Sequence, residues 1–349
     1  MMKNFKRIIM WTLIPVAIEL IGLLFLNQFY FNGEANFNIK KVDISSKQAE
    51  HKIKVKIPED AEQIKVASSG NYISYYDGQS LQVVDTVKND VKQVDLENEF
   101  SYYTWNLDTD DMFIAEKTKA GGNSSNLKFE SYDAKRDEIY PLKNLEKNQD
   151  LSILLPDDSY EVKRVAFSGP SNVAYVMSGG NEETNGRIYR IDVMIRMNLV
   201  NFGRCKLGNI AAVNNENGDE LIYEDRTYNR IRTGRGGVIA TGENAMHYLL
   251  NTDENNNIYI GNGENNKINK IFISNLDVDK KKVYTLPSYV SKDNIYVTRG
   301  RRIYVNNPEA GEVKELTTGK VTKYVGKFVS VYEYGVISQN GNKLVNSLF

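Results

Sequence analysis

Histidine and cysteine, two side chains often used in nucleophilic catalysis, are nearly absent from this chain. His51 and His247 are its only histidines, and Cys205 is its only cysteine. A Ser-His-Asp or Cys-His arrangement needs a histidine beside a nucleophile and an orienting carboxylate, and the sequence around these residues offers no such context. A histidine-based metal site would need more histidines. We therefore predict that the chain is not an enzyme and has neither catalytic residues nor a cofactor.

Oxygen-rich turns are the candidate metal ligands. Asn215, Asn217 and Asp219 alternate around Gly218, a spacing loosely like that of a calcium-binding loop. The segment lacks the distal bidentate Glu of an EF-hand. Asn-Gly and Asp-rich turns are also what β-hairpins require for positive φ and side-chain capping. A simple turn is thus the stronger expectation for this segment, and calcium binding is the weaker one.

Two groups of arginines are candidates for binding a partner. Guanidinium groups bind carboxylates and polyanions in a bidentate manner, although alternating arginines also serve to solvate the outer face of a strand. The first group, which we predict to bind a partner, consists of Arg226, Arg230, Arg232 and Arg235. The second consists of Arg299, Arg301 and Arg302.

The N-terminus predicts a membrane anchor. Residues 1–7 form a basic tip, residues 8–29 are long and apolar enough for one transmembrane helix, and residues 30–50 form a polar linker. Because the positive charges precede the span, we expect a single-pass protein of the cell membrane, contacting lipid through residues 8–29. Its N-terminus would be cytoplasmic and the bulk of the chain extracellular. A cleaved signal peptide is the alternative, but its apolar region is usually shorter and ends at small residues.

Glu19 is an ionisable residue near the middle of this apolar span. Such a residue is costly in hydrocarbon and usually has a function. We predict that it pairs with a polar group on a second membrane helix. The alternative is a tolerated carboxyl in a solitary anchor.

The rest of the chain repeats a unit of strand, short turn and strand, rich in Tyr, Ile and Val. Several strands per unit at a period of about 40–50 residues indicate a β-propeller. We predict an all-β fold with seven blades, although six or eight also fit the spacing. Residues 144–160 would be an insertion. The hairpins begin at Tyr72, Met112, Val173, Leu221, Ile258, Ile295 and Val336.

The last unit lacks a fourth strand, and residues 52–57 alternate as a strand without a partner. Placing this strand at the outer edge of the last blade would close a propeller domain of residues 51–349. A tether near the membrane is the alternative.

The segment from Ser69 to Asp85, SGNYISYYDGQSLQVVD, resembles blades of TolB-type propellers and of the propeller domain of dipeptidyl peptidase IV. The resemblance implies a propeller at the level of single blades. In the peptidase family a separate hydrolase domain supplies the catalytic serine, whereas this chain ends with its last blade and contains no Gly-x-Ser-x-Gly elbow. The resemblance therefore implies no peptidase activity here.

Composition agrees with a globular protein of the cell envelope. Hydrophobic residues make up 41% of the chain, and the net charge of -1 argues against nucleic acid as a partner. We predict a non-catalytic binding or scaffold protein of a bacterial envelope, which recognises a protein or an envelope polymer and is expected to be part of a membrane complex. The alternative is a propeller-type lyase or lactonase with a metal in its central channel.

Overall fold

A computed structural model describes residues 19, 23, 53–121, 124–169, 172–180, 186–203, 205–277 and 281–349. The chain divides into two units, residues 1–49 and 50–349. In the first unit only Glu19 and Leu23 are described, and both are helical and exposed. None of the helical segments within the described ranges has the length and apolar character that a bilayer crossing requires. The predicted tip, membrane helix and linker otherwise lie outside the described residues.

The second unit is an all-β propeller of seven blades, as predicted. Blade 1 contains β1 (Glu62–Val66), β2 (Tyr72–Tyr76), β3 (Leu81–Asp85) and β4 (Asp90–Val94). Blade 2 contains β5 (Glu99–Trp105), β6 (Asp111–Gly121), β7 (Ser124–Asp133) and β8 (Glu138–Pro141), followed by β9 (Lys143–Asn144), β10 (Gln149–Asp150) and β11 (Ser152–Leu154). Blade 3 contains β12 (Glu161–Ser168), β13 (Val173–Gly179), β14 (Arg187–Ile191) and β15 (Met197–Leu199).

The remaining blades follow the same order. Blade 4 contains β16 (Leu207–Asn215), β17 (Gly218–Asp225), β18 (Arg230–Thr233) and β19 (Val238–Ile239). Blade 5 contains β20 (Met246–Thr252), β21 (Ile258–Glu264), β22 (Lys267–Ser274) and β23 (Lys282–Ser291), after which comes a 3₁₀ turn, Lys292–Asn294. Blade 6 contains β24 (Ile295–Val297), β25 (Ile303–Asn307), β26 (Glu312–Glu315) and β27 (Val321–Lys323). Blade 7 contains β28 (Lys327–Val331), β29 (Gly335–Asn340) and β30 (Lys343–Leu348).

Each blade is an antiparallel meander whose first strand is innermost and lines the central channel. We call the rim at which the inner strands end the front rim, and the opposite one the back rim. The second strands are the most buried; every residue of β13 is buried. The hydrophobic core lies between blades, as where Leu81 of blade 1 packs with Tyr103 and Met112 of blade 2. Asn residues with positive φ, such as Asn89 and Asn229, form several of the turns.

The N-terminal segment contacts the outer edge of blade 7. Lys56 forms an isolated antiparallel bridge with Lys343, and the Ile57 amide donates to the Asn342 carbonyl at 2.9 Å. Ile57 is 1% exposed and belongs to a core cluster shared by blades 7 and 1. The predicted strand 52–57 is therefore reduced to one bridge at Lys56, and Lys52 lies outside the described residues.

Two local features refine the predicted repeat. The predicted insertion 144–160 contains part of the β9–β10 hairpin and β11, which adds a strand to blade 2 by pairing with β7. In blade 6 the predicted hairpin from Ile295 is formed by the first and second strands rather than by the second and third. The predicted hairpin of blade 6 therefore begins one strand earlier within its blade than the other predicted hairpins do.

Candidate ligand site in the central channel

The central channel contains a cavity of about 390 Å³ that five blades line together. A volume of this size accommodates a small ligand. Blade 1 contributes Lys65, blade 2 Thr104, blade 5 Asn251, blade 6 Arg299 and blade 7 Ser330. These residues are far apart in the sequence and converge only when the ring forms.

A repeated backbone irregularity interrupts the inner strands, and three of the residues that follow it, Lys65, Asn251 and Ser330, line the cavity. In six blades of the described propeller, the pairing between the inner and second strands shifts by one residue. Such bulges bend a strand and re-aim its side chains, often beside functional sites. In blade 1 the bulge contains Gln63, whose φ of 51° is unusual for a residue other than glycine. The residues that follow the bulges are Lys65, Tyr102, Arg164, Ile210, Asn251 and Ser330.

Lys65 is the most perturbed basic group of the channel. Its Nζ lies 4.3 Å from the ring centroid of Tyr102 and 4.6 Å from that of Tyr103, and it donates a hydrogen bond to the Tyr103 carbonyl. It forms no ion pair with a carboxylate of the described residues. Burial, and to a lesser degree repulsion by Arg164, lowers the pKa of Lys65 to about 8. A lysine with such a pKa is partly neutral near physiological pH and can accept a proton.

Buried hydrogen bonds hold the backbone of Lys65 in place. The Ser74 hydroxyl donates to the Lys65 carbonyl at 3.3 Å, and the Trp105 indole N–H donates to the Ser74 hydroxyl at 2.9 Å. The Tyr103 hydroxyl donates to the carbonyl of Gln63 within the bulge. Burial raises the pKa of Tyr103 and Tyr102, so both phenols stay protonated at neutral pH. Blades 1 and 2 thus fix the lysine from two sides.

An ion pair spans the front mouth of the channel. Nη2 of Arg299 in blade 6 lies 3.0 Å from Oδ1 and 3.1 Å from Oδ2 of Asp108 in blade 2. A Cβ on Gly169 of blade 3 would lie only 2.6 Å from Asp108 Oδ2, so glycine leaves room for the pair. Beside it, the Gly300 amide donates to Glu333 of blade 7 at 3.1 Å. Side chains from several blades therefore narrow this mouth.

The predicted calcium ligands do not converge on an ion site. Asp219 accepts two hydrogen bonds from Arg190, at 2.6 and 2.7 Å, and one from the Tyr175 hydroxyl at 2.5 Å. Asn215 Oδ1 accepts the Asn217 amide at 2.8 Å, which is a turn contact. Among the described residues, no group of three or more His, Cys, Asp or Glu side chains is arranged to hold a metal. This geometry favours the turn over the ion site.

The predicted partner-binding arginines lie on blade 4, and three of them pair with acidic residues of that blade. Arg226 pairs with Glu224 at 3.6 Å. Arg232 pairs with Asp225 at 3.0 Å, and Arg235 pairs with Glu220 at 3.1 Å. Arg230 differs, because it lies in a cleft at the back rim. Partner binding by these residues stays a prediction.

The other candidate residues are widely separated. His247 lies between blades 4 and 5, and burial raises the pKa of Cys205 to about 11, which makes it a poor nucleophile. His51 lies outside the described residues, and a partner for Glu19 stays a prediction. Sequence reasoning missed Lys65. Its only signal was a charged residue in the predicted strand Ile64–Ala67, which does not indicate a channel position by itself.

No protein-family model and no curated protein sequence matches this chain. Its structure is similar to that of an oligogalacturonate lyase from Vibrio parahaemolyticus, with 8% sequence identity, a TM-score of 0.50, and coverage of 86% of this chain and 89% of the lyase. It is less similar to an acylaminoacyl peptidase from Pyrococcus horikoshii (13% identity, TM-score 0.45, 80% of this chain and 50% of the peptidase covered). It is also less similar to dipeptidyl peptidase 4 from Porphyromonas gingivalis (10% identity, TM-score 0.41, 81% of this chain and 50% of the peptidase covered). The chain thus spans about half the length of either peptidase.

The likeness to the lyase confirms the predicted propeller fold. It also corrects one prediction. We predicted that the chain is not an enzyme, because it contains only two histidines and one cysteine and no hydrolase motif. That prediction is wrong, because a propeller that matches this chain over most of both lengths is a lyase. The absence of a hydrolase motif therefore does not exclude catalysis on this fold.

Proposed function

We propose that the propeller is a lyase that binds a carboxylated oligosaccharide in its central channel and cleaves it by β-elimination. The observation that carries this proposal is the position of Lys65 in the channel, against two tyrosine rings and without a carboxylate partner among the described residues. Because no carboxylate of the described residues pairs with Lys65, its amine is available to take a proton from a ligand in the channel.

The proposed reaction removes the proton on the carbon next to the sugar carboxylate. Neutral Lys65 takes this proton, and the electrons of the C–H bond form a carbon–carbon double bond. The bond to the glycosidic oxygen breaks, and this oxygen recovers a proton from Lys65 or from water. Arg164, which repels Lys65 electrostatically, would bind the sugar carboxylate and stabilise its negative charge in the transition state.

Two considerations support this choice over the alternatives. The oligogalacturonate lyase of the same fold is a precedent for an oligomer of an acidic sugar as the substrate of such a propeller. The predicted lyase or lactonase alternative needs a metal, and the described residues contain no group of three or more His, Cys, Asp or Glu side chains that could hold one. Lys65 instead takes the role of the base.

The test is an elimination assay with the purified protein on a panel of uronate oligomers, which follows the ultraviolet absorbance of the new double bond. We expect product from at least one oligomer. Lys65→Met should lower kcat by at least about 100-fold, the usual contribution of a general base. The matched control is Lys88→Met, at an exposed lysine of the same blade. No product from any oligomer, or full activity of Lys65→Met, would overturn the proposal.

We also propose the location that the N-terminus predicts. Residues 8–29 would anchor the chain in the cell membrane, with the propeller outside and able to meet envelope polymers or a membrane partner. Protease added to intact protoplasts should digest the chain after residue 32. Full protection of the propeller would contradict this orientation.

A further inference from the structure

A second cleft lies at the back rim, between blades 4 and 5. Its volume is about 970 Å³, more than twice that of the channel cavity, and it shares no lining residue with that cavity. Two tyrosines with large exposed surfaces line it: Tyr228 is 61% exposed and Tyr289 is 51% exposed. Exposed aromatic rings beside a polar cleft are typical of a binding surface.

Blade 4 fixes Tyr228 in a tight turn. Asp225 Oδ1 accepts the amides of Thr227 and Tyr228, at 3.0 and 3.3 Å. The turn ends at Asn229, whose φ of 52° is one that asparagine tolerates well. The turn therefore fixes the backbone of Tyr228, whose ring is largely exposed and has the Arg232 guanidinium 5.8 Å from its centroid.

In blade 5, an irregularity in strand pairing positions Tyr289. In β23 the pairing moves from Thr285 opposite Lys270 to Val290 opposite Ile268. Residues 286–289 therefore face the single residue 269, and this part of the outer strand bulges out. Leu286 remains 5% exposed and anchors the bulge, while Tyr289 at its other end lines the cleft. The irregularity widens the cleft and adds an aromatic wall.

The cleft is polar and nearly neutral. His247 is hydrogen-bonded to the Thr241 hydroxyl at 2.7 Å and to the Asn229 carbonyl at 2.8 Å, which holds its ring in place. Lys270 is neutralised by Glu243 at 2.6 Å. Arg230 and Glu264 add one charge of each sign. Three further asparagines contribute amide groups that both donate and accept hydrogen bonds: Asn244, Asn265 and Asn269.

We propose that this cleft is a binding site for a neutral sugar chain, separate from the channel. The faces of Tyr228 and Tyr289 would pack against the apolar faces of sugar rings. The asparagine amides would bind sugar hydroxyls, which also donate and accept. The charge balance favours an uncharged ligand here, in contrast to the channel, where Lys65 lacks an acidic partner. The site would bind the protein to a neutral envelope glycan.

The test is calorimetric titration of the purified protein with oligomers of glucose, mannose and N-acetylglucosamine. We expect at least one oligomer to bind, and we expect Tyr228→Ala and Tyr289→Ala each to weaken binding about tenfold, equivalent to about 1.4 kcal/mol. The matched control is Tyr140→Ala, because Tyr140 is 42% exposed on blade 2 and should not matter. All three tyrosines are exposed, so the variants should fold.

The outcome separates this site from the channel. Binding should persist in Lys65→Met, even if the elimination reaction proves absent. The proposal is overturned if no neutral oligomer binds, or if binding is unchanged in both tyrosine variants. Uronate oligomers that bind the cleft more tightly than neutral ones would contradict its assignment to uncharged sugars.

Discussion

Asp108 and Arg299 are 191 residues apart in the sequence, yet their side chains form an ion pair across the front mouth of the channel. The pair connects blades 2 and 6, which are separated in the ring by blades 7 and 1. The Asp108 side chain is 54% exposed and that of Arg299 22%, so the pair contributes little to the stability of the fold. Its position instead suggests control of entry, because an anionic ligand competes with Asp108 for the same guanidinium.

Asp108→Asn should open this mouth. We expect the free energy of unfolding to change by less than about 1 kcal/mol, since exposed pairs contribute little. The kcat/KM for uronate oligomers should rise by about two- to tenfold, because Arg299 is then available to the ligand. Steady-state kinetics checks this, with Asp90→Asn, at the exposed first residue of β4 in blade 1, as the control. A lower kcat/KM would mean that Asp108 itself positions the ligand.

The lowered pKa of Lys65 predicts two pH dependences. Activity should rise with pH through about 8, as the lysine loses its proton and becomes a base. Stability should also rise between about 8 and the ordinary value of 10.5, because in this range the unfolded state binds the proton more strongly than the folded state. Thermal unfolding at several pH values checks the second effect. Lys65→Met should flatten that rise, and an equal rise in both proteins would assign it to other groups.

Contact between the N-terminal segment and blade 7 predicts a strong effect of a single core residue. Ile57→Ala should lower the free energy of unfolding by about 2–4 kcal/mol, because the side chain is fully buried between blades 7 and 1. Denaturant unfolding measures the loss, and Val87→Ala at an exposed position should change it by less than about 0.5 kcal/mol. Deletion of all residues before Pro58 should destabilise at least as much. If the truncated protein unfolds like the intact one, the segment is only a tether.

The ion pair of Asp219 with Arg190 predicts how the protein responds to calcium. Hydrogen bonds from Arg190 hold the pKa of Asp219 below its usual range, so its carboxylate stabilises the fold at neutral pH and loses this effect as the pH falls. Calcium should leave the melting temperature unchanged, since the carboxylate is already bound. Asp219→Asn should lower it, whereas an exposed turn variant, Asn217→Ser, should not. A calcium-dependent rise that disappears in Asp219→Asn would restore the predicted ion site.

The sequence was informative about the fold because blade strands follow local rules. The Tyr72–Val84 segment has strand composition on both sides of a turn at Asp77-Gly78. The structure forms β2 before this turn and β3 after it. The order of strands within a blade is harder to predict, because first, second and third strands have similar compositions. This explains the error at Ile295, where the Thr298–Arg302 turn looked like the one that joins a second strand to a third. The predicted strand 52–57 likewise forms only one bridge, at Lys56, because composition does not define how far a strand pairs.

The candidate site was much less predictable. Lys65, Asn251 and Ser330 are brought together by closure of the ring, which no local pattern encodes. The bulge at Gln63 depends on pairing with β2, so the direction of Lys65 is a tertiary property. The environment of Asp219 could not be predicted for a different reason: its turn resembled an ion-binding loop, but its partner Arg190 lies on the neighbouring blade.

The repeated bulges affect which substitutions the channel can accept. At equivalent places of five inner strands stand Lys65, Tyr102, Arg164, Asn251 and Ser330, which carry five different polar groups. In blade 4 the equivalent residue is Ile210, which packs in the core between blades 3 and 4. The extra residue absorbs the change of direction within one strand, while the second strands keep their buried packing between blades. Where such a residue lines the channel cavity, as Lys65, Asn251 and Ser330 do, a single substitution can therefore alter what the channel recognises and leave the architecture intact.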